Sequence, residues 1–68
     1  MNVYILRERA NKNFFTKTRK WNTRIGLAEI FTDLGKARQT RKKLKDLMDI
    51  QNSKIEIVEY ELIERSSL

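Results

Sequence analysis

The segment 36–45 holds the side chains of this sequence that are most able to do chemistry. Six of its ten residues are Lys or Arg, and none is acidic. It contains neither proline nor glycine, so it can form part of a helix. Like charges four residues apart, as at Arg38 and Lys42, repel each other on a helix by roughly a few tenths of a kcal/mol. This excess of cations therefore indicates a surface for an anionic partner.

A second basic segment, 18–24, surrounds Trp21, the one tryptophan of the chain. We expect the two segments to bind nucleic acid, with RNA favoured over a defined DNA site, mainly by neutralising phosphates. The predicted nucleic-acid-binding residues are Lys36, Arg38, Lys42, Lys43 and Lys45 in the first segment, and Arg19, Lys20, Trp21 and Arg24 in the second. Two alternatives stay open: a basic helix that docks on a host protein and blocks it without nucleic acid, and a lysine-rich surface that only confers solubility.

Trp21 itself has two interpretations. Its basic neighbours favour stacking of the indole on an unpaired base while they hold the phosphates. In so small a domain, however, a lone tryptophan is more often part of the core than a stacking platform. We therefore favour packing of Trp21 at the edge of the sheet.

The residue types argue against an enzyme. Cysteine and histidine are both absent, which removes the usual nucleophile–base pairs and transition-metal ligands. We expect no cofactor and no metal. Asp46 and Asp49 lie three residues apart, and we interpret them as partners of Lys42 and Lys45. The glutamates of segment 55–64 are predicted to keep an edge strand soluble.

Length and charge limit the class of protein. The 68 residues form one small domain with a net charge of +6. Residues 1–54 carry 14 basic and 5 acidic residues, a charge of +9, whereas residues 55–68 carry 1 and 4, a charge of −3. We expect no signal peptide and no membrane association. The predicted location is the cytoplasm, which would be that of the host cell if a phage encodes the chain.

The order of elements predicts an α+β fold. The apolar run Val3–Leu6 predicts an inner strand over residues 2–8, and Phe14–Lys17 returns as the second strand of a hairpin. A third strand is predicted over 27–31, after a loop at 18–24. A helix is predicted over 33–50, with Thr32 as its N-cap and Asn52 at its end. A last strand over 54–64 and a frayed tail at 65–68 complete an antiparallel sheet of three to four strands with one long helix on one face.

The predicted inner residues follow the periodicity of these elements. They are Tyr4, Leu6, Phe15, Ile30, Leu34, Ala37, Leu44, Leu47, Met48, Val58, Tyr60 and Leu62. Such a small set leaves the second face of the sheet partly open. We predict that Val3, Ile5, Ile57 and Ile63 support a homodimer there.

Two resemblances add to this interpretation. The series Tyr4–Arg7, Phe15–Thr16, Trp21, Ala28–Ala37 and Ile57–Leu62 looks like a type common among small phage accessory proteins. That resemblance implies a phage accessory protein, a class that includes inhibitors of host defence systems. Separately, the nucleic-acid and host-protein hypotheses are compatible in an inhibitor of an RNA-handling enzyme. The order of three strands and a helix, with Trp21 and Phe31–Thr32, is similar to the arm-binding domains of tyrosine recombinases. Those domains place a three-stranded sheet in the DNA major groove, so this resemblance implies DNA binding by the sheet.

Overall fold

One α-helix packs on an antiparallel sheet of four strands in the computed structural model, which describes residues 1–48, 51, 54–63 and 66–67. The elements are β1 (Asn2–Glu8), β2 (Phe14–Phe15), β3 (Trp21–Asn22), a 3-10 turn (Ile25–Leu27), α1 (Leu34–Met48) and β4 (Ile55–Glu61). The order of strands across the sheet is β3-β2-β1-β4. The predicted α+β fold with one helix on one face is thereby confirmed.

Strand β1 occupies an inner position in the sheet, as its apolar run predicts. It pairs with β4 along its whole length, from Asn2 opposite Glu61 to Glu8 opposite Ile55. Its other edge has two partners: Arg7 pairs with Phe14 of β2, and Tyr4 forms an isolated bridge with Phe31. The run Val3–Leu6 gives β1 apolar side chains on both faces of the sheet, which suits this inner position.

The predicted third strand over 27–31 is wrong. Its first residue belongs to the 3-10 turn, and the rest makes only isolated bridges, Ala28 with Thr16 and Phe31 with Tyr4. The segment crosses from the end of β2 to the start of β1, so it follows neither partner far enough to form a strand. The outer strand β3 lies instead at Trp21–Asn22, within the predicted loop.

Helix α1 is capped by Asp33 and not by Thr32 as predicted. The Asp33 Oδ1 atom accepts a hydrogen bond from the Gly35 N–H at 2.8 Å, and the Asp33 carbonyl accepts one from the Ala37 N–H at 3.2 Å. A carboxylate at this position also interacts favourably with the helix dipole. The predicted continuation over 49–50 and the cap at Asn52 lie outside the described residues.

The core lies between α1 and one face of the sheet. Its buried members are Leu6, Phe15, Phe31, Ala37, Leu44 and Ile55, and the half-buried Tyr4, Trp21, Met48 and Ile57 pack against them. Four predicted inner residues, Leu6, Phe15, Ala37 and Leu44, are therefore confirmed as buried core, while Leu34 is half-buried. Three others are wrong, because Ile30, Leu47 and Leu62 are 54%, 58% and 54% exposed.

The orientation of β4 is the reverse of the predicted one. Ile57 lies opposite Leu6 of β1, so it shares the helix-facing side of the sheet with that core residue. Val58 and Tyr60, predicted to face inward, pair with Ile5 and Val3 on the other side and are half-buried. Because side chains alternate along a strand, a shift of one residue exchanges the two faces completely.

The second face of the sheet carries Val3 and Ile5, which are buried beside Val58 and Tyr60. The described part has no second helix to cover this face, yet Val3 and Ile5 are only 3% and 4% exposed, so the centre of this face is not open to solvent. Of the residues predicted to support a homodimer, Ile57 lies on the helix side of the sheet, and Ile63 lies beyond β4. The four residues therefore do not form one surface, and the homodimer stays a prediction.

The last strand is shorter than predicted, ending at Glu61 rather than at 64. Ser66 and Ser67 of the predicted tail are exposed, whereas residues 64, 65 and 68 lie outside the described part. Within that part, no helix has the length and apolar character needed to cross a bilayer.

Candidate nucleic-acid interface

A tight turn between β2 and β3 presents basic side chains at the tip of the hairpin. The Arg19 N–H donates to the Thr16 carbonyl at 2.9 Å, and the Thr16 N–H donates to the Lys20 carbonyl at 2.9 Å. The Thr16 hydroxyl is buried with its residue, donates to the same Lys20 carbonyl at 3.0 Å and lies 3.0 Å from the Thr18 hydroxyl. These bonds fix the turn from within, so Lys17 and Arg19 extend from an ordered backbone.

Arg19 adopts a left-handed backbone conformation, with φ of 62°. A three-residue hairpin loop commonly consists of a type I turn followed by one residue in this conformation. Lys17, Thr18 and Arg19 match that pattern, with Arg19 at the left-handed position. Glycine is the residue that suits this position best, and an arginine there costs about 1–2 kcal/mol.

The hairpin tip and the helix enclose a cleft of about 220 Å³, which we call the hairpin–helix cleft. Its polar and charged lining consists of Lys17, Arg19, Glu29, Thr40 and Lys43, while Phe15, Leu44 and Leu47 supply the apolar part. Three cations and one carboxylate leave a net charge of +2. The geometry thus joins the basic helix to the basic hairpin at one place on the molecule.

Helical periodicity explains which basic residues of α1 reach this cleft. A residue seven positions away lies roughly two turns along the same side, so Lys36 lies on the same side as Lys43. Lys42 is exposed and lies nearly opposite the buried Leu44. The basic residues of the helix therefore do not form a single surface.

Arg38 and Arg41 lie in a different depression, of about 410 Å³, on the β4 side of the helix. Its lining also includes Arg9 and two carboxylate residues, Glu56 and Glu59. The Arg41 Nε atom is buried and finds no hydrogen-bond partner among the described residues. Three arginines and two glutamates leave a net charge of +1 in this lining, compared with +2 in the hairpin–helix cleft.

Glu56 is the shared acidic partner of the ion pairs near the start of β4. Its carboxylate lies 2.6 Å from the Arg7 Nε atom, 3.3 Å from the Lys12 Nζ atom and 3.6 Å from an Arg9 nitrogen. The hydrogen bond from Arg7, assisted by Lys12, holds the pKa of Glu56 below its ordinary value, although desolvation opposes this. Glu56 therefore neutralises the basic residues near the β1–β2 turn, beyond the solubilising role that the sequence predicts.

The basic residues of the hairpin and helix have no such partners. All three ion pairs in the described part of the chain involve Glu56. The predicted pairing of Asp46 with Lys42 is not formed there, and Asp49 lies outside the described residues. The Lys and Arg residues without an ion pair to another described residue are Lys17, Arg19, Lys20, Arg24, Lys36, Arg38, Arg41, Lys42, Lys43, Lys45 and Lys54.

Trp21 packs against the core from the edge strand, as its core interpretation expects. Its ring meets that of Phe15 edge to face, with centroids 5.5 Å apart and planes at 60°. Its Nε1 atom is buried and finds no partner among the described residues. The side chain is only half-buried, however, and it also lines an open cleft of about 650 Å³ beside the hairpin, which we call the Trp21 cleft.

The predicted binding residues thus fall into separate groups. Arg19 and Lys43 meet in the hairpin–helix cleft, and Lys20 and Trp21 line the Trp21 cleft. Arg38 lies with the carboxylates, while Lys36, Lys42, Lys45 and Arg24 are exposed and line none of these three depressions. Lys17 is not among the predicted binding residues, although it lines both the hairpin–helix cleft and the Trp21 cleft. Its position between two threonines in a basic turn is the sequence feature that could have identified it.

No further guide to function comes from similarity to other proteins. Comparison of the chain with protein-family models, with curated proteins and with solved structures finds no match. The geometry of the two clefts and the distribution of charge between them are therefore the grounds on which a function can be argued.

Proposed function

We propose that this protein binds nucleic acid, with RNA favoured, through the hairpin–helix cleft and the basic side chains around it. The observation that carries the proposal is the convergence of Lys17, Arg19 and Lys43 on one cleft. These cations come from two elements that are distant in sequence, and none of them is neutralised by an ion pair in the described part of the chain. Such a concentration of unpaired cations is what a phosphate backbone requires.

The backbone order of the turn supports the same function. Phosphate contacts position a protein on a nucleic acid, and they are most effective when the cation does not lose much freedom on binding. The hydrogen bonds around Thr16 already hold the backbone at Lys17 and Arg19. Lys43 belongs to a helix anchored by the buried Leu44. Both sides of the cleft are therefore fixed before a ligand arrives.

The face of the sheet away from α1 offers a less suitable surface for phosphates. Its centre consists of Val3 and Ile5 beside Val58 and Tyr60, all of which are apolar or aromatic. Arg7 lies on the same side of β1, but it is held by Glu56. We therefore base the proposal on the helix and the hairpin and not on insertion of the sheet into a DNA groove.

A pair of adjacent lysines supplies the test. Lys43→Glu reverses a charge inside the hairpin–helix cleft, whereas Lys42→Glu makes the same change about 100° away around the helix, outside the lining of the cleft. Binding is measured by the fluorescence anisotropy of a short labelled oligouridylate at low salt. We expect Lys43→Glu to weaken binding by about tenfold or more relative to Lys42→Glu, because it removes a charge-assisted hydrogen bond to phosphate.

The pair also controls for general electrostatics and for folding. Both substituted residues are exposed on the helix, so the circular dichroism of both variants should match that of the unmodified protein. Equal loss of affinity in the two variants would show that only the net charge matters and would reject the cleft as the binding surface. Absence of binding by the unmodified protein at low salt would reject the function itself.

A further inference from the structure

The Trp21 cleft has the size and lining of a site for a flat, largely apolar group. Its volume of about 650 Å³ lies within the range of about 300–1,000 Å³ that is usual for small-ligand sites. Trp21, Leu27, Ala28 and Ile30 supply its apolar lining. Leu27 and Ile30 are 53% and 54% exposed although they lie in a concave surface. The cleft therefore presents apolar area that a bound group would remove from water.

The positive charge of the Trp21 cleft favours an anionic ligand. Lys17 and Lys20 are its charged lining residues, and no carboxylate belongs to the lining. Lys17 also lines the hairpin–helix cleft, so the two clefts meet at the tip of the hairpin. A ligand that carries a phosphate beside a flat apolar ring would satisfy both the lysines and the apolar lining at once.

We propose that the Trp21 cleft receives an unpaired nucleobase from a strand whose phosphates lie in the hairpin–helix cleft. This inference rests on the proposed function, and it assigns single-stranded nucleic acid as the ligand class. A base within a duplex would have to leave its stack to enter the cleft, whereas an unpaired base is free to do so. Stacking of one base on an aromatic side chain typically strengthens binding by roughly 5- to 150-fold.

Trp21 makes the occupation of the cleft directly measurable. It is the one tryptophan of the chain, so all tryptophan emission comes from a residue that lines this cleft. The full chain is titrated with an oligouridylate, with an abasic oligonucleotide of equal length and phosphate number, and with an RNA duplex. We expect the oligouridylate to change the Trp21 emission and to bind roughly fivefold or more tightly than the abasic strand. The abasic strand and the duplex should leave the emission unchanged.

The three ligands separate failure of this inference from failure of the proposed function. Equal affinity for the oligouridylate and the abasic strand, with unchanged Trp21 emission, would overturn the inference and leave phosphate binding intact. Binding of none of the three would overturn both. A Trp21 response to an acidic peptide carrying an apolar side chain, without a response to oligouridylate, would also overturn it and assign the cleft to a protein ligand.

Two matched substitutions test the lining of the cleft. Ile30→Asn removes apolar area inside the cleft, and Leu62→Asn makes the same kind of change at a residue of equal exposure, 54%, that lies outside it. Both side chains are more than half exposed, so both variants should fold. We expect Ile30→Asn to weaken oligouridylate binding by several-fold without affecting the abasic strand, while Leu62→Asn changes neither. An equal effect of the two substitutions would overturn the proposed base site.

Discussion

Replacement of Arg19 by glycine should separate the charge of the hairpin tip from its conformation. Arg19 has a φ of 62°, a conformation that costs a non-glycine residue about 1–2 kcal/mol. Glycine removes that cost, but its greater backbone freedom stabilises the unfolded chain by about 0.5–1 kcal/mol. The free energy of unfolding should therefore rise by about 0–1.5 kcal/mol, which raises the Tm by up to about 10 °C in a domain of this size.

The same substitution should weaken the binding of RNA. It removes one of the three cations that converge on the hairpin–helix cleft, and a charge-assisted hydrogen bond contributes about 1.5–3 kcal/mol. The affinity for a short oligouridylate should fall by about tenfold or more. Thermal unfolding followed by circular dichroism and binding followed by fluorescence anisotropy would measure the two effects on one sample.

Lys12→Gly is the matched control. Lys12 has a φ of 60°, almost the same as Arg19, but its side chain lies 3.3 Å from Glu56, away from both clefts. The control should gain a similar amount of stability, apart from a small loss from its exposed ion pair, and should bind RNA as the unmodified protein does. A destabilised Arg19→Gly variant, or one that binds with unchanged affinity, would refute the reasoning.

Two further predictions concern the framework of the fold. The pKa of Glu56 is lowered mainly by the hydrogen bond from Arg7. The ionised carboxylate therefore stabilises the fold at pH values above 4.5, its pKa in the unfolded chain. This stabilisation is lost as the pH falls through the lower pKa of the folded protein. Urea unfolding at neutral and acidic pH should show a smaller acid-induced loss of stability in Glu56→Gln than in the unmodified protein; equal losses would contradict the linkage. Asp33→Ala should lower the free energy of unfolding by about 1 kcal/mol, and Asp33→Asn by much less, because the asparagine oxygen can still accept the Gly35 N–H. Equal losses in these two variants would show that the cap contributes nothing through that bond.

Strand β1 and helix α1 could be predicted because their patterns are long and consistent. The apolar run of β1 predicts both its limits and its inner position, which the pairing with β2 and β4 confirms. The orientation of β4 could not be predicted in the same way. Its sequence places Ile55 and Ile57 on one side and Val58 and Tyr60 on the other, so alternation alone favours neither side. Pairing with β1, which places Ile57 opposite Leu6, determines which side meets the helix.

Short elements left too little pattern for prediction. Strand β3 has two residues, Trp21 and Asn22, and two residues show no periodicity. The segment 28–31 has alternating apolar residues, but it changes partner between Thr16 and Tyr4. Thr32 and Asp33 are both good capping residues, and the hydrogen bonds that Asp33 accepts from Gly35 and Ala37 distinguish them.

The sequence predicts that the candidate site is built from basic residues, but it does not predict which of them lie together in the folded chain. The basic character of Lys43 and Arg19 was evident from the sequence, whereas their convergence depends on how α1 crosses the sheet. The same packing directs Arg38 toward Glu56 and Glu59, which lie at least eighteen positions away in the chain. Local sequence could not show which cations would meet carboxylates and which would remain without partners.

The salt dependence of oligouridylate binding tests the central claim most directly. Each phosphate neutralised on a single strand contributes about −0.7 to the slope of log affinity against log salt concentration. Contacts from Lys17, Arg19 and Lys43 should therefore give a slope of about −2, so that affinity falls about 20-fold between about 50 and 200 mM salt. The slope should be about 0.7 less steep in Arg19→Gly and unchanged in Lys12→Gly. An affinity that does not change with salt, or a slope that Arg19→Gly leaves unaltered, would contradict the proposal that this cleft binds phosphates.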